Sequence, residues 1–170
     1  MLKFNINKNT QTNLLFNNVL ILCRQSFFYT KFDLIDTFQN RINLIFIHIS
    51  FVFIKIKQNN KYKKFQQSLF DLVFEKIELN MREIGFGDTT INNNMKFLVK
   101  NFYNILLKCE KYKKMNSDEK NIFLNMYLKS NNAKFTNNKG IIDYFNKYEA
   151  FCFDLSLDSV LRGELKFNYK

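Results

Sequence analysis

Residues 69–88, LFDLVFEKIELNMREIGFGD, decide the fold because they join a long helical pattern to a defined stop. Apolar side chains recur at steps of three and four residues, which places them on one stripe of an α-helix. The stripe comprises Phe65, Leu69, Phe70, Val73, Phe74, Ile77, Met81 and Ile84. Gly85 follows, where helices commonly end in a left-handed residue. The chain has four glycines. Two of them, Gly85 and Gly87, lie here, which indicates that the backbone geometry of this turn matters.

A second apolar stripe follows the turn and predicts another long helix. Its members are Ile91, Met95, Leu98, Phe102, Ile105, Leu106 and Cys109. Thr89 or Thr90 is the expected N-cap, because a hydroxyl oxygen accepts a hydrogen bond from a free backbone N–H of the first helical turn. Lysines cluster at the far end of this helix, where cations complement the helix dipole. They are Lys108, Lys111, Lys113 and Lys114.

Residues 41–57 contain the run LIFIHISFVFI, which is nearly all apolar. Its β-branched residues also fit a buried strand. The length of the segment and the absence of Gly and Pro favour a helix that is buried on most sides. Eleven residues are too few to cross a bilayer, which needs about 20. Asp36 or Thr37 is the expected N-cap of this helix.

Further segments complete the predicted order of elements. They are a core helix over residues 14–29, a basic loop over 58–64, a helix over 117–129, a polar loop over 131–139, and a helix that opens at Gly140. Asn116 and Glu119 have the spacing of a capping box at the start of the helix over residues 117–129. Ser156 is the expected cap of a short turn that ends near Gly163.

The sequence therefore predicts an all-α fold, a single compact bundle of six or seven helices. The polar residues 1–13 are expected to form a flexible N-terminus, and residues 14–170 one helical domain. With 170 residues, of which 46% are hydrophobic and 21 are phenylalanine, the chain has enough apolar side chains for one core. This composition favours a folded globular chain over a disordered one.

The net charge of +11 admits two explanations. A basic protein attracts anionic partners such as RNA, a ribosome or a membrane surface. A coding bias toward Lys, Asn, Phe and Ile gives the same charge without a partner. The basic segments at residues 55–64 and 108–114 include Tyr62 and Tyr112, a mixture that can bind RNA through phosphates and stacking. The sequence has no RRM, KH or zinc signature, and no DNA partner is expected.

No combination of residues predicts a catalytic, cofactor or metal site. His48 is the only histidine, and a lone His inside an apolar run is most often a hydrogen-bonded core residue. The three cysteines lack metal-ligand spacing and are expected to be reduced thiols in apolar surroundings. The glycine turn lacks the Lys of a phosphate-binding loop, and Asp88 places a negative charge there instead. We therefore expect a protein that is not an enzyme.

Charged residues flank the glycine turn and form a candidate contact surface. Three carboxylates share one face of the helix before it: Asp71, Glu75 and Glu78. They fit either a solvated face or an acidic patch for a basic partner. Arg82 can pair with Glu78, pair across the turn with Asp88, or contact a partner. A structural corner needs only a cap, so we expect the surface near the turn, with Arg82 and Glu83, to bind a partner.

The order and spacing of several short motifs resemble the ubiquinol–cytochrome c chaperone family. The matching residues around the turn are Leu69, Phe70, Asp71, Arg82, Glu83, Gly85, Gly87, Asp88, Ile91, Met95, Lys96, Phe102 and Tyr103. A second block upstream matches at Asp36, Thr37, Arg41 and His48. The sequence departs from the family pattern at four places. Ile35 stands for Pro, Asn40 for Gly, Asn94 for Lys, and Asn104-Ile105 for Gly-Arg.

The resemblance implies a helical, non-enzymatic assembly chaperone of the ubiquinol–cytochrome c reductase, respiratory complex III. Its implied partner is newly made apocytochrome b or another assembly factor, and its implied location is a bacterial cytoplasm or the mitochondrial matrix, peripheral to the inner membrane. The alternative function is a basic RNA- or ribosome-binding helical module. Combined with the turn, the matching motifs predict partner contacts at Arg41, Asp71, Arg82, Glu83, Gly85, Gly87, Asp88, Lys96 and Tyr103.

Overall fold

Helices account for nearly all of the regular structure. The computed structural model describes residues 2–131 and 139–169, with side chains described from Thr10 onward within these ranges. In chain order the helices are α1 (Leu2–Cys23), α2 (Phe27–Thr30), α3 (Phe38–Lys57), α4 (Lys63–Ile84), α5 (Asp88–Lys111), α6 (Ser117–Tyr127), α7 (Lys139–Asp154) and α8 (Leu157–Leu161). Six of these have 11 residues or more and form one bundle. The predicted all-α bundle is confirmed.

Helix α3 is the central element of the bundle. It packs against α1, α4, α5, α7 and α8. Its apolar run is buried almost throughout, with Leu44, Phe46, Ile47, Ile49 and Phe51 fully inaccessible to solvent. Each such side chain contributes roughly 1.5–3 kcal/mol through burial. The segment is therefore a helix buried on most sides, as the sequence predicts, and Thr37 caps it by accepting a hydrogen bond from the Asn40 N–H at 3.2 Å.

Helices α4 and α5 form a hairpin around the glycine turn, and the buried stripe of α4 packs against α1 and α3. Leu69, Val73, Ile77 and Met81 are buried as predicted. The prediction is wrong for Ile84, whose side chain is 57% exposed. It is the last residue of α4, directly before the Gly85 turn. Helix α4 also begins earlier than predicted, inside the expected basic loop, because the buried Phe65 anchors its first turn.

The N-terminal region differs from the predicted single helix over residues 14–29. The chain forms α1 and α2 instead, with a break at residues 24–26 that brings Phe28 into the core against Tyr144 at 4.8 Å between ring centroids. Helix α1 starts at Leu2, and Thr12 is buried. Flexibility of residues 1–13 stays a prediction. Most of the predicted polar loop over residues 131–139 lies outside the described residues.

The predicted side-chain caps are confirmed at three helix starts, α3, α6 and α8, and the prediction for α5 is wrong. Asn116 and Glu119 form a reciprocal capping box at α6, and Ser156 accepts from the Ser159 N–H at α8. The start of α5 is capped by neither Thr89 nor Thr90. Gly87 occupies the N-cap position without a side-chain hydrogen bond, and Asp88 supplies a negative charge in the first turn, which complements the helix dipole.

His48 lies in the centre of the core with both ring nitrogens satisfied. Its Nδ1 lies 2.7 Å from the Leu44 carbonyl oxygen, so that nitrogen carries the proton and donates. Its Nε2 accepts from the Tyr144 hydroxyl at 2.7 Å. Burial lowers the pKa of His48 from 6.5 to about 4, because a charged imidazolium loses its hydration there. The prediction of a hydrogen-bonded core histidine is confirmed.

Asn40 joins the start of α3 to the chain after α6. Its side-chain Nδ2 donates to the carbonyl oxygens of Ile35 and Lys129, both at 2.7 Å, and its Oδ1 accepts from the Lys129 N–H at 2.8 Å. One turn later, Asn43 donates to the Tyr127 carbonyl oxygen at 2.6 Å. Both asparagines are buried. They satisfy backbone groups that a helix end would otherwise leave without partners.

The neutral state of His48 predicts a pH dependence of stability. The folded pKa lies below the unfolded value, so the unfolded chain binds the proton first and stability falls as the pH drops from 6.5 toward 4, by at most about 3 kcal/mol. His48→Gln should be less stable than the wild-type protein near neutral pH and should lose less stability across this window. Urea unfolding at several pH values measures both. Parallel pH profiles would contradict a buried, neutral His48.

The Asn40 contacts predict a large loss of stability on truncation. Asn40→Ala removes three hydrogen bonds and leaves the Lys129 N–H without its acceptor. The carbonyl oxygens of Ile35 and Lys129 each keep one backbone N–H donor, so the loss of free energy of unfolding should be about 2–4 kcal/mol, the sum of the three bonds. The matched control is Asn104→Ala on the exposed face of α5, which should change it by less than about 0.5 kcal/mol. Equal effects in thermal or urea unfolding would show that Asn40 does not hold α3 to the chain after α6.

Candidate functional site

The glycine turn between α4 and α5 has a Schellman geometry. Gly85 has φ +97°, in the left-handed region. Its N–H donates to the Arg82 carbonyl oxygen at 3.0 Å, and the Phe86 N–H donates to the Met81 carbonyl oxygen at 3.1 Å, as this motif requires. Gly87 has φ −72° and ψ 155°, which any residue adopts. The expectation that the turn geometry matters therefore holds for Gly85 and does not extend to Gly87.

Arg82 ties the two helices together across the turn. Its Nη2 donates to Glu78 Oε1 at 2.8 Å, and its Nη1 donates to Asp88 Oδ1 at 2.6 Å. The two carboxylates raise the pKa of the guanidinium. All three side chains are about half exposed or more, and solvent screening weakens such pairs. Arg82 therefore orients the turn, and both pairings expected from the sequence occur.

Large apolar side chains lie exposed around the same turn. Ile84 is 57% and Phe86 40% exposed. These two residues are called the turn patch below. The sequence did not predict this patch, because the spacing of Ile84 places it in the predicted buried stripe and Phe86 lies within the predicted turn. The available signal was the position of Phe86 between two glycines, outside both helical stripes.

A cleft of about 270 Å³ lies next to the turn patch, between α1, α3 and α4. Its lining residues are Phe16, Asn17, Leu20, Cys23, Arg24, Phe38, Arg41, Ile42, Ile45, Lys76, Ile77 and Asn80. Most are apolar, three carry positive charge, and none is a carboxylate. Phe38 connects the cleft to the turn patch, because its ring centroid lies 6.5 Å from that of Phe86. The cleft and the turn patch are therefore continuous.

The structure brings six of the nine predicted contact residues to this end of the bundle. Arg41 lines the cleft and forms two hydrogen bonds with the Asp36 carboxylate, at 2.6 and 2.7 Å. This pairing lowers the pKa of Asp36. The other five flank or form the turn: Arg82, Glu83, Gly85, Gly87 and Asp88.

Three predicted contact residues lie away from the turn. At a rise of about 1.5 Å per residue, Asp71 is about 21 Å from Gly85 along α4, and Lys96 and Tyr103 are about 12 and 22 Å from Asp88 along α5. Asp71 accepts a hydrogen bond from Gln67 at 2.8 Å. The Tyr103 ring lies 5.8 Å from Phe70, between centroids. The nine predicted contact residues therefore do not form one contiguous surface.

The cleft offers no acid–base pair among its lining residues. It contains neither a histidine nor a carboxylate. Burial raises the pKa of the Cys23 thiol well above its usual range, which leaves it protonated and unreactive. Within residues 2–131 and 139–169, no three His, Cys, Asp or Glu side chains are grouped so that they can hold a metal ion. The described helices also include none with the length and hydropathy of a membrane span.

The backbone of the turn predicts different tolerance at its two glycines. Gly85→Ala forces a side chain into the left-handed region, where nothing lies within 4 Å of the new Cβ, so the cost is conformational, about 1 kcal/mol. Gly87→Ala should be neutral to within about 0.5 kcal/mol, and Gly87→Ser should stabilise α5 by adding a cap. Unfolding free energies measure all three. Equal losses at both glycines would contradict the assigned geometry.

Known proteins are similar to this chain in sequence and in fold. The sequence profile of a family described as Ubiquinol-cytochrome C chaperone matches residues 30–167. No curated protein matches the chain. The crystal structure of the Cbp3 homolog from Brucella abortus is similar, with a TM-score of 0.84 and 17% sequence identity over 98% of this chain and 93% of that one. At this identity the similarity shows a shared fold.

Proposed function

The chain belongs to the ubiquinol–cytochrome c chaperone family, and from that premise we propose that it is a non-enzymatic assembly chaperone whose client is newly made apocytochrome b. The proposed client site is the turn patch together with the adjoining cleft. The observation that carries this assignment is the exposure of Ile84 and Phe86 beside a mostly apolar cleft. An unassembled membrane subunit presents apolar segments whose final partners are absent, and these segments need apolar surface to cover them.

The turn patch suits a client because its position is fixed while its side chains remain uncovered. The Schellman turn at Gly85 and the Arg82 pairs hold α4 and α5 in one orientation. A pre-organised surface loses little conformational entropy on binding, so more of the burial energy appears as affinity. Arg24 and Lys76 at the cleft add positive charge. A client segment with apolar side chains and a nearby carboxylate complements both features.

The alternative, an RNA- or ribosome-binding module, draws on residues far from this site. The lysines of residues 108–114 lie at the C-terminal end of α5, whereas the turn patch adjoins its N-terminal end. An α-helix of 24 residues is about 36 Å long. Ribosome binding through the lysines of residues 108–114 would therefore use a different surface from client binding at the turn patch. Within the part of the chain that the structure describes, the client site combines exposed apolar residues with a mostly apolar cleft, whereas three lysines line the groove at the end of α5.

The client site predicts selective loss of capture on removing one exposed side chain. Ile84→Asn should weaken co-purification of apocytochrome b in detergent by roughly tenfold or more, since burying an isoleucine contributes about 1.5–3 kcal/mol. Ile122→Asn is the matched control, because Ile122 on α6 is 62% exposed and lies away from the turn. Both variants should unfold at nearly the wild-type temperature. Undiminished capture by Ile84→Asn and by Phe86→Ser would remove the turn patch as the client site.

Charge at the turn is best tested at Glu83 rather than at Arg82. Arg82→Glu removes both ion pairs across the turn, so lost capture by that variant would not separate binding from turn geometry. Glu83 is exposed, and its described contact is a 3.5 Å approach by Asn80. Glu83→Lys therefore changes the charge of the surface without breaking the turn.

A further inference from the structure

The outward face of α5 combines exposed apolar side chains with lysines. Phe97 is 60%, Tyr103 50% and Leu107 57% exposed. At 100° per residue these positions fall on the side of the helix opposite its buried stripe. Lys96, Lys100, Lys108 and Lys111 fall on the same side. A helix face that contacts only water is usually polar, so a row of large exposed apolar residues indicates an interaction surface.

Helix α6 extends this apolar and basic face. Ile122 is 62% and Met126 53% exposed. Both residues line a shallow groove of about 410 Å³ together with Lys108, Lys111 and Lys114 of the α5 end. The five apolar side chains of α5 and α6 and their neighbouring lysines are called the α5–α6 face below. It includes half of the ten large apolar side chains that are exposed among the described residues.

Few carboxylates balance the charge of the α5–α6 face. Glu110, at its edge, pairs with Lys57 at 2.8 Å. Glu119 in the groove accepts from the Asn116 N–H in the capping box at 2.9 Å. None of the lysines at positions 96, 100, 108, 111 and 114 forms an ion pair with a carboxylate of the described residues. The face therefore presents uncompensated positive charge around its apolar residues.

We propose that the α5–α6 face docks this protein on an anionic lipid bilayer. Aliphatic side chains enter the boundary between headgroups and acyl chains, while lysines beside them attract anionic headgroups. RNA is a weaker match. Its phosphates can use the lysines and its bases can stack on Phe97 and Tyr103, but the exposed aliphatic side chains Leu107, Ile122 and Met126 gain little from RNA, whereas a bilayer uses all of these groups. The surface lies away from the client site, so docking leaves the turn patch open.

Vesicle co-sedimentation of the full chain tests the proposal. The vesicles contain phosphatidylcholine alone or with about a third phosphatidylglycerol, a charge density comparable to an anionic leaflet. The wild-type protein should bind the anionic vesicles, bind the neutral ones at least tenfold more weakly, and release as salt rises. Equal binding to both kinds of vesicle, or binding to neither, overturns the proposal.

Two pairs of variants separate the α5–α6 face from net charge. Lys108→Gln/Lys111→Gln should weaken binding by about 10- to 30-fold, and Leu107→Asn/Ile122→Asn should weaken it at unchanged charge. The charge control, Lys31→Gln/Lys166→Gln, removes the same charge from exposed residues outside α4, α5 and α6 and should change binding less than twofold. Equal loss in the charge control overturns the proposal. The proposal is also overturned if the protein prefers polyuridine to vesicles and the Leu107/Ile122 variant still binds polyuridine, since this outcome assigns the face to RNA.

The vesicle test is independent of the proposed client. Ile84→Asn should keep wild-type vesicle binding, and the Lys108/Lys111 variant should keep capture of apocytochrome b in detergent. Loss of vesicle binding in Ile84→Asn contradicts a separate α5–α6 face. Each variant should unfold near the wild-type temperature, which shows that the substitutions leave the fold intact.

Discussion

Burial of helix α3 is the constraint on which the rest of the structure depends. Its side chains are apolar around most of the helix, so no single partner can cover it. Helices α1, α4, α5 and α7 surround it instead, and each uses its own apolar stripe to do so. This arrangement fixes which face of every surrounding helix is buried. It also fixes which faces remain outside, and the two proposed binding surfaces lie on those outer faces.

A core of this kind needs few polar groups, and those that it contains set the register of the helices. A hydrogen bond from the Tyr144 hydroxyl to His48 Nε2 joins α7 to α3, while Asn40 and Asn43 join α3 to the end of α6. Apolar packing alone permits several arrangements of similar energy. Buried hydrogen bonds are directional, and leaving one partner unsatisfied costs stability. Asn40 is notable because it replaces the glycine that the family pattern has at this position.

Periodic stripes in the sequence were sufficient to predict the helical fold. They were not sufficient to predict the contacts between side chains. The α3, α4 and α5 segments could be assigned because their apolar spacing is local information. The break before α2 could not, since it depends on Phe28 reaching Tyr144 more than a hundred residues later. The exposure of Ile84 could not be predicted either, since its spacing continues the buried stripe up to the last residue of α4. Motif matching placed contact residues along two helices, and the structure separates Asp71, Lys96 and Tyr103 from the six at the turn.

Photo-crosslinking to newly made apocytochrome b tests the central claim, that the client binds at the turn patch and cleft. Benzoylphenylalanine can replace Phe86 at the turn and, in a second variant, Phe97 on the outer face of α5, which is 60% exposed. Both replacements keep an aromatic side chain at an exposed position. We expect crosslinks to apocytochrome b from position 86 and few from position 97. Crosslinks from position 97 with none from position 86 would contradict binding at the turn patch and cleft.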